Sequence, residues 1–242
     1  MSELIKDQHP VLAAITGRRS VRAFLDKPVP REAVEEILAA ASHAPSGNNT
    51  QPWRVHVLQG AAKDSLTAAI MAVRHAREQE PPAEYPYYPE AWFEPYLARR
   101  RAIGWQLYGL LGIGKGDRQA AQAWHDQNFR FFGAPVGLIF TVDRRLGLGA
   151  YLDVGMFMQN IMTAARGCGL DTCAQAAFAA YHDVIRHELQ LPSEELVLCG
   201  MALGWADPDA LVNRLSTDRE PLETYASFVG GARSSASKET SI

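Results

Sequence analysis

Two long apolar runs constrain the fold of this chain most strongly. They are APVGLIFTV from Ala134 and ELVLCGMALG from Glu195. Apolar runs of this length, bounded by polar and turn residues, predict strands buried inside a sheet. Between them, residues 151–169 (YLDVGMFMQNIMTAARGCG) predict a buried helix with a glycine near its end. Because the strands are too scattered for a simple strand–helix–strand alternation, we predict a single α+β domain.

Shorter signals add further elements to this core. Residues 30–44 begin with proline, carry acids in the first turn and repeat apolar residues at helical spacing, which predicts a helix. Alternating residues from Trp53 predict a strand, and residues 61–80 predict another helix. The sequence ends in GGARSSASKETSI, which is small and polar. We therefore assign residues 1–230 to one domain and 231–242 to a flexible tail.

Charge and hydropathy exclude several classes of protein. The chain has 242 residues and a net charge of −3, without the basic excess of a nucleic-acid-binding domain. No apolar run approaches the roughly 18 residues that a membrane span needs, and the N-terminus lacks the pattern of a signal peptide. The three cysteines form neither a C-x-x-C pair nor an even set, which indicates reduced thiols in a cytoplasmic protein.

Familiar phosphate and metal motifs are incomplete in this chain. The run GLLGIGKG at 109–116 resembles a phosphate loop but lacks the Ser or Thr that must follow the lysine. His182 and His187 are five residues apart, which places them on different faces of a helix. We therefore predict no metal site.

A basic segment near the start of the chain is a candidate anion site. The run GRRSVRAF places Arg18, Arg19 and Arg22 beside Ser20. Guanidinium groups match the geometry of phosphate oxygens and carry the complementary charge. The alternative is that Arg18 and Arg19 are solvated charges at the C-terminus of a helix, where the helix dipole favours cations.

The basic segment and a polar turn about 25 residues later together resemble a known pair of motifs. The turn is APSGNNTQPW, in which residues 45–52 are nearly all turn formers, amides and hydroxyls. R-R-S-x-R followed by this turn is similar to the signature of the nitroreductase family, the FMN-dependent oxidoreductases. Two later runs also resemble the family, namely GLDTCAQAAF and LCGMALGWADPDALVNRLSTDREPLE. The resemblance covers nearly the whole chain, and its middle segment is most similar to the nitrobenzoate and nitroaromatic reductase branch.

The resemblance implies an architecture and a position for the cofactor. The implied fold is α+β and nitroreductase-like, with a central, mostly antiparallel sheet surrounded by helices in an intertwined homodimer. FMN then lies at the subunit interface. The turn residues Pro45, Ser46, Gly47 and Asn49 are expected to wrap the edge of the flavin ring from the second subunit, since that ring is rimmed by carbonyl and nitrogen groups.

The remaining cofactor contacts are also implied by the resemblance. Arg18, Arg19 and Ser20 are expected to hold the phosphate and ribityl chain, and Arg219 to complete the phosphate clamp. Arg22 is expected beside the N1–C2=O side of the ring, where a cation stabilises the charge of the reduced flavin.

Two further positions match the family only through the main chain. The backbone N–H groups of Ala176 and Ala177 are expected to face flavin N5, where many family members carry Glu-Gly. No protein nucleophile or general base is implied, because the cofactor carries the chemistry.

The segment 85–132 is the expected lid and specificity element. Its rings and its triple arginine offer an aromatic acceptor stacking surfaces and a partner for a carboxylate. The candidate substrate residues are Tyr88, Trp92, Tyr96, Arg99 and Phe131. The alternative for residues 85–101 is an arm that packs on the second subunit, and the alternative for Phe131 is core packing.

The implied function is NAD(P)H-dependent reduction of nitroaromatic or quinone-type acceptors by a ping-pong, two-electron mechanism. Nitrobenzoate-like acceptors are included because of the branch that the middle segment resembles. Two other functions remain open: reductive dehalogenation on the same fold, and FMN binding or storage without turnover. No motif here reads the 2′-phosphate that separates NADPH from NADH.

Overall fold

A four-stranded antiparallel sheet forms the centre of the computed structural model, which describes residues 9–76 and 80–230. Its strand order is β1-β2-β4-β3, and every neighbouring pair is antiparallel. The strands are β1 (Arg54–Gln59), β2 (Val136–Asp143), β3 (Asp171–Gln175) and β4 (Glu195–Gly204). The expected tail at 231–242 lies outside the described residues.

Helices surround the sheet, and their ends follow the local sequence. They are α1 (Pro10–Gly17), α2 (Arg31–Ala41), α3 (Gly60–Ala76), α4 (Tyr96–Leu111), α5 (Arg118–Asp126), α6 (Gly149–Gly167), α7 (His182–Glu188) and α8 (Leu222–Tyr225). Asp117 caps the start of helix α5, because its carboxylate accepts a hydrogen bond from the Ala120 N–H at 2.9 Å. Helix α4 ends at Gly112, which adopts the left-handed conformation with φ of 67°.

The sheet separates two apolar layers. On one face, α2 and α6 pack together over side chains such as Leu138, Phe140 and Met201. On the other face, α3, α7 and two 3₁₀ segments, Gln127–Gly133 and Ala176–Tyr181, cover Ile139, Val197 and Ala202. The central strands β2 and β4 are buried along almost their whole length because they are covered on both sides.

The α+β prediction is confirmed, as are both apolar strands and the helix between them. The strand β3 was not predicted, because DTCAQ lacks a clear apolar alternation and its pairing with β4 stabilises it. The triple arginine lies inside α4. Within residues 9–76 and 80–230, no helix is both long and apolar enough to cross a membrane.

Candidate functional site

The basic segment 18–22 lies along the free edge of β3. Ser20 forms an isolated parallel bridge with Thr172, and the Val21 N–H donates to the Thr172 carbonyl at 3.0 Å. Helix α1 ends just before it, and Arg18 is already extended, with φ of −63° and ψ of 132°. An edge strand has unpaired backbone groups, so it can seat a short extended segment in this way.

The same segment is tied to a second one about 190 residues away. The backbone N–H of Arg22 donates to Asn213 Oδ1 at 2.8 Å. In return, Asn213 Nδ2 donates to the carbonyls of Ala23 at 2.8 Å and Asp207 at 2.9 Å. Asn213 therefore holds residues 215–219 beside residues 18–22.

A cavity of about 390 Å³ lies between these two segments. Its lining residues are Ile15, Thr16, Arg18, Arg19, Ser20, Arg22, Leu215, Ser216, Thr217 and Arg219. The five residues predicted for the phosphate, ribityl chain and N1 side are thus together in one cavity. None of the lining residues is acidic.

The four arginines of this cavity are not neutralised by carboxylates. Within the described part of the chain, none of them forms an ion pair with Asp or Glu. The guanidinium of Arg219 donates instead to Thr217 Oγ1 at 2.6 Å and to the carbonyls of Thr217 and Asp218. Concentrated, unpaired guanidinium charge in a concave surface favours an anionic ligand.

The polar turn predicted to meet the flavin ring has an unusual backbone. Asn48, Asn49 and Gln51 have φ of 50°, 57° and 47°, a left-handed region that asparagine tolerates better than most residues. The Gln51 N–H donates to Ser46 Oγ at 3.0 Å. The Gly47 N–H donates to Asp153 Oδ2 on α6 at 3.2 Å. These bonds hold the turn in one shape and leave it largely exposed.

The turn and the arginine cavity are separate in a single chain. None of Pro45, Ser46, Gly47 and Asn49 is among the residues that line the cavity. Ala176 and Ala177 also lie outside its lining; they are partly exposed and begin a 3₁₀ segment that directly follows β3. Ala176 lies four residue steps after Thr172, which holds Ser20, and this corresponds to about 13 Å at the usual rise of a strand.

An aromatic arm, residues 85–95, precedes α4. The Tyr85 hydroxyl donates to the Leu198 carbonyl and anchors its start, and burial raises the pKa of Tyr85, so the hydroxyl stays protonated. Beyond that anchor, Tyr88 is 61% exposed and its ring lies 5.4 Å from that of Trp92. The guanidinium carbon of Arg100 lies 5.0 Å from the centroid of the Trp92 ring. The arm therefore presents rings and a cation to solvent, as a stacking surface requires.

Tyr96 and Arg99, two candidate substrate residues on α4, both contact other residues of the chain. The Tyr96 ring lies 5.3 Å from Phe93 and 5.5 Å from the guanidinium carbon of Arg99. Arg99 Nε lies 2.7 Å from Glu220 Oε1. The cation of Arg99 is thus already paired within the chain.

The expectation that Phe131 lines a substrate site is wrong in this structure. Phe131 is fully buried, and its ring stacks on Phe178 at 4.7 Å between centroids. It packs flat against Gly137 of β2, where an added Cβ would lie 2.6 Å from the ring. Core packing, the alternative for this residue, is what the structure has, because a glycine in the strand leaves room for the ring.

The family model described as "Nitroreductase family" matches residues 15–205. This chain belongs to the nitroreductase family. The matched range includes the basic segment 18–22, the polar turn, the arm and all four strands.

Similar nitroreductases support the family assignment over almost the whole chain. The nitrobenzene nitroreductase of Ectopseudomonas oleovorans is 47% identical over 216 residues, 89% of this chain and 95% of that protein. The 4-nitrobenzoate reductase of Nocardioides sp. (strain LMS-CY) is 40% identical over 223 residues, 90% of this chain and 89% of that protein. The crystal structure of the FMN and NADPH-dependent nitroreductase NfnB from "sphigopyxis sp. strain HMH" has a TM-score of 0.89 at 36% identity and covers 91% of this chain and 99% of that chain.

Two residues of this nitroreductase site carry no signal in the sequence alone. Asn213 and Asp153 act through contacts with segments more than 100 residues away. Asn213 lies in a run that resembles the family and Asp153 in the predicted helix 151–169, but neither pattern indicates which distant backbone groups these two side chains contact. Within the described ranges, no group of three or more His, Cys, Asp or Glu residues is placed to hold a metal ion.

Proposed function

We propose that this chain is an FMN-dependent oxidoreductase that uses NAD(P)H to reduce nitroaromatic or quinone-type acceptors. The observation that carries the proposal is the arginine cavity, which has no carboxylate in its lining. Its four guanidinium groups and the Ser20 hydroxyl are the donor set that a phosphate dianion requires. The similarity to a nitrobenzene nitroreductase and a 4-nitrobenzoate reductase supports the same reaction.

The cavity residues would bind the cofactor at its charged end. Arg18, Arg19, Ser20 and Arg219 would hold the phosphate and ribityl chain. Arg22, whose backbone N–H donates to Asn213, would stabilise negative charge on the N1 side of the bound ring. Bound FMN supplies the chemistry, which is hydride transfer from NAD(P)H followed by two-electron reduction of the acceptor. The chain's own residues would bind and orient the cofactor and exclude water from it.

The second half of the cofactor site comes from a second copy of the chain, so the active unit is a homodimer. The turn with Pro45, Ser46, Gly47 and Asn49 does not line the arginine cavity of its own chain. An apolar stripe along α6 supports the same arrangement: Leu148, which directly precedes the helix, and Leu152 and Met156 within it are 80%, 72% and 39% exposed. Exposed apolar stripes of this kind mark protein interfaces.

The remaining assignments follow from the same proposal. The backbone N–H groups of Ala176 and Ala177, which directly follow β3, would face flavin N5. Within 85–132, the exposed part 87–96 is the specificity element and contributes Tyr88, Trp92 and Tyr96, whereas the 3₁₀ segment Gln127–Gly133 buries its phenylalanines in the core. The protein acts in the cytoplasm, where its three unpaired thiols remain reduced.

An absorbance spectrum of the purified protein, followed by anaerobic addition of NADPH or NADH, tests the function. We expect flavin absorbance that bleaches with a pyridine nucleotide and returns when nitrobenzene or 4-nitrobenzoate is added. Free FMN at the same concentration serves as the control for uncatalysed reduction. A bound flavin that neither nucleotide reduces would identify a binding protein instead, and no flavin after incubation with FMN would contradict the proposal altogether.

A further inference from the structure

One ion pair joins the α4 helix to the segment that carries Arg219. Arg99 Nε lies 2.7 Å from Glu220 Oε1, and both side chains are about two-fifths exposed. Glu220 directly follows Arg219 in the chain. We propose that Arg99 is a positioning residue for the cofactor rather than a ligand of the acceptor: it holds and neutralises Glu220, which keeps the phosphate site free of negative charge. This inference rests on the proposed FMN function.

The packing of α4 supports this role. None of its residues is buried in the chain, yet it packs against the 3₁₀ turn Leu211–Arg214 that leads into the cavity lining. That turn is bonded on its other side to the basic segment, through Asn213 and Arg22. The segment 211–220 therefore lies between α4 and the basic segment. The ion pair between Arg99 and Glu220 joins this segment to α4.

The charges around Arg219 show why Glu220 needs a partner. Arg219 is flanked by Asp218 and Glu220, and a carboxylate next to it would pair with its guanidinium and compete with phosphate. In the structure Arg219 contacts the carbonyl of Asp218, and Glu220 is paired with Arg99. Without Arg99, the Glu220 carboxylate is free to turn to Arg219 or to repel the phosphate dianion.

Flavin fluorescence titrations of the full-length chain, freed of its flavin, test the inference at low salt, where charge effects are least screened. We expect Arg99→Ala to weaken FMN binding about two- to fivefold, the range set by exposed ion pairs. Adding Glu220→Gln to that variant restores the affinity, because the unpaired carboxylate is gone. Riboflavin, which lacks the phosphate, binds all variants alike.

Arg101→Ala is the matched control, since it removes the same charge two residues further along α4 and leaves FMN affinity unchanged. An equal loss in Arg101→Ala, or no recovery in the Arg99→Ala, Glu220→Gln double variant, would overturn the inference. So would an equal loss of riboflavin affinity, which indicates a structural role. A raised KM for 4-nitrobenzoate alone, with FMN affinity intact, would make Arg99 a substrate ligand.

The proposed function is tested separately in the same titration. If Arg219→Ala leaves FMN affinity unchanged, the phosphate clamp itself is wrong, whatever Arg99 does. If Arg219→Ala weakens FMN while Arg99→Ala has no effect, the clamp stands and only the role of Arg99 is lost.

Discussion

Arg219 is the residue on which the proposed phosphate clamp depends most directly, because it comes from the opposite end of the chain to the other arginines. Its guanidinium is exposed at the cavity, and among residues 9–76 and 80–230 its hydrogen-bond partners are in its own segment, Thr217 and Asp218. No carboxylate among the described residues competes for it. Its charge is therefore available to a ligand.

Arg219→Ala is expected to weaken FMN binding about tenfold to a hundredfold, since charged hydrogen bonds are worth roughly 1.5–3 kcal/mol each. The protein should be purified nearly colourless and regain flavin only at high FMN. The measurement is the ratio of flavin to protein absorbance, followed by a fluorescence titration. Arg214→Ala, a nearby arginine outside the cavity lining, is the control and should stay yellow. Full colour in Arg219→Ala would contradict the clamp.

Glu195 is a buried carboxylate that does not line the arginine cavity. It is 4% exposed, with Arg54 Nη1 at 2.6 Å, His56 Nε2 at 3.0 Å and a hydrogen bond from the Thr141 hydroxyl. Burial alone would raise the pKa of Glu195, but these donors outweigh it and the pKa is lowered. The carboxylate thus stabilises the fold in its ionised form.

A carboxylate with a lowered pKa in the folded state contributes stability above its unfolded pKa, near 4.3, and loses it as the pH falls further. We expect Glu195→Gln to lower the free energy of unfolding by about 1–3 kcal/mol at pH 7 and by less at acidic pH. Urea denaturation at both pH values measures this. Glu194→Gln, at the neighbouring exposed position, should change little. An equal loss at both pH values would assign the effect to packing instead of charge.

At the scale of elements, two aromatic rings and two strand glycines hold the 3₁₀ segments onto the sheet. Phe131 lies against Gly137 of β2, and Phe178 lies against Gly200 of β4. The two rings stack on each other at 4.7 Å. A Cβ at Gly200 would lie 2.4 Å from the Phe178 ring, closer than atoms can approach. The glycine is therefore required by space and not by backbone conformation.

Gly200→Ala is expected to destabilise the fold by about 1–3 kcal/mol, the usual cost of overpacking a core. The change in the urea midpoint, at constant slope, measures it. Gly147→Ala is the control, because a Cβ there meets no atom within 4 Å. A Gly200→Ala protein as stable as the parent would mean that Phe178 has room to move away.

At the scale of the whole molecule, the chain leaves a large apolar surface uncovered. Besides the stripe on α6, Val11 and Ile15 of α1 and Trp105 of α4 are 53%, 47% and 73% exposed. An α4 helix with no buried residue lacks the packing that normally stabilises a helix of that length. A second copy of the chain would bury these surfaces and bring its polar turn to the arginine cavity.

Leu152→Glu is expected to convert a dimer into monomers and to lower FMN affinity together with it, because the cofactor site is then incomplete. Sedimentation equilibrium with a parallel FMN titration measures both. Ala62→Glu adds the same charge to an exposed position of α3 and should leave the dimer intact. A wild-type protein that is monomeric while it binds FMN would contradict the shared site.

Sequence alone was sufficient where the determining interactions are local. The helix at 30–44, the turn at 45–52 and the two apolar strands depend on capping, turn chemistry and periodicity, all of which act within a few residues. The basic segment and the polar turn, read as a pair, were sufficient for the family. These features led directly to the α+β fold and the nitroreductase assignment.

The tertiary structure decided what depends on distant partners. The cavity forms because Ser20 pairs with Thr172 and Asn213 reaches back to Arg22, contacts that join segments about 150 and 190 residues apart. Phe131 belongs to the core because its ring packs between Gly137 of β2 and Phe178, 47 residues further along the chain, and Arg99 is paired because the fold brings Glu220 to α4. Strand register and helix packing create these neighbours. No local pattern encodes them, because each contact joins segments that only the folded chain brings together.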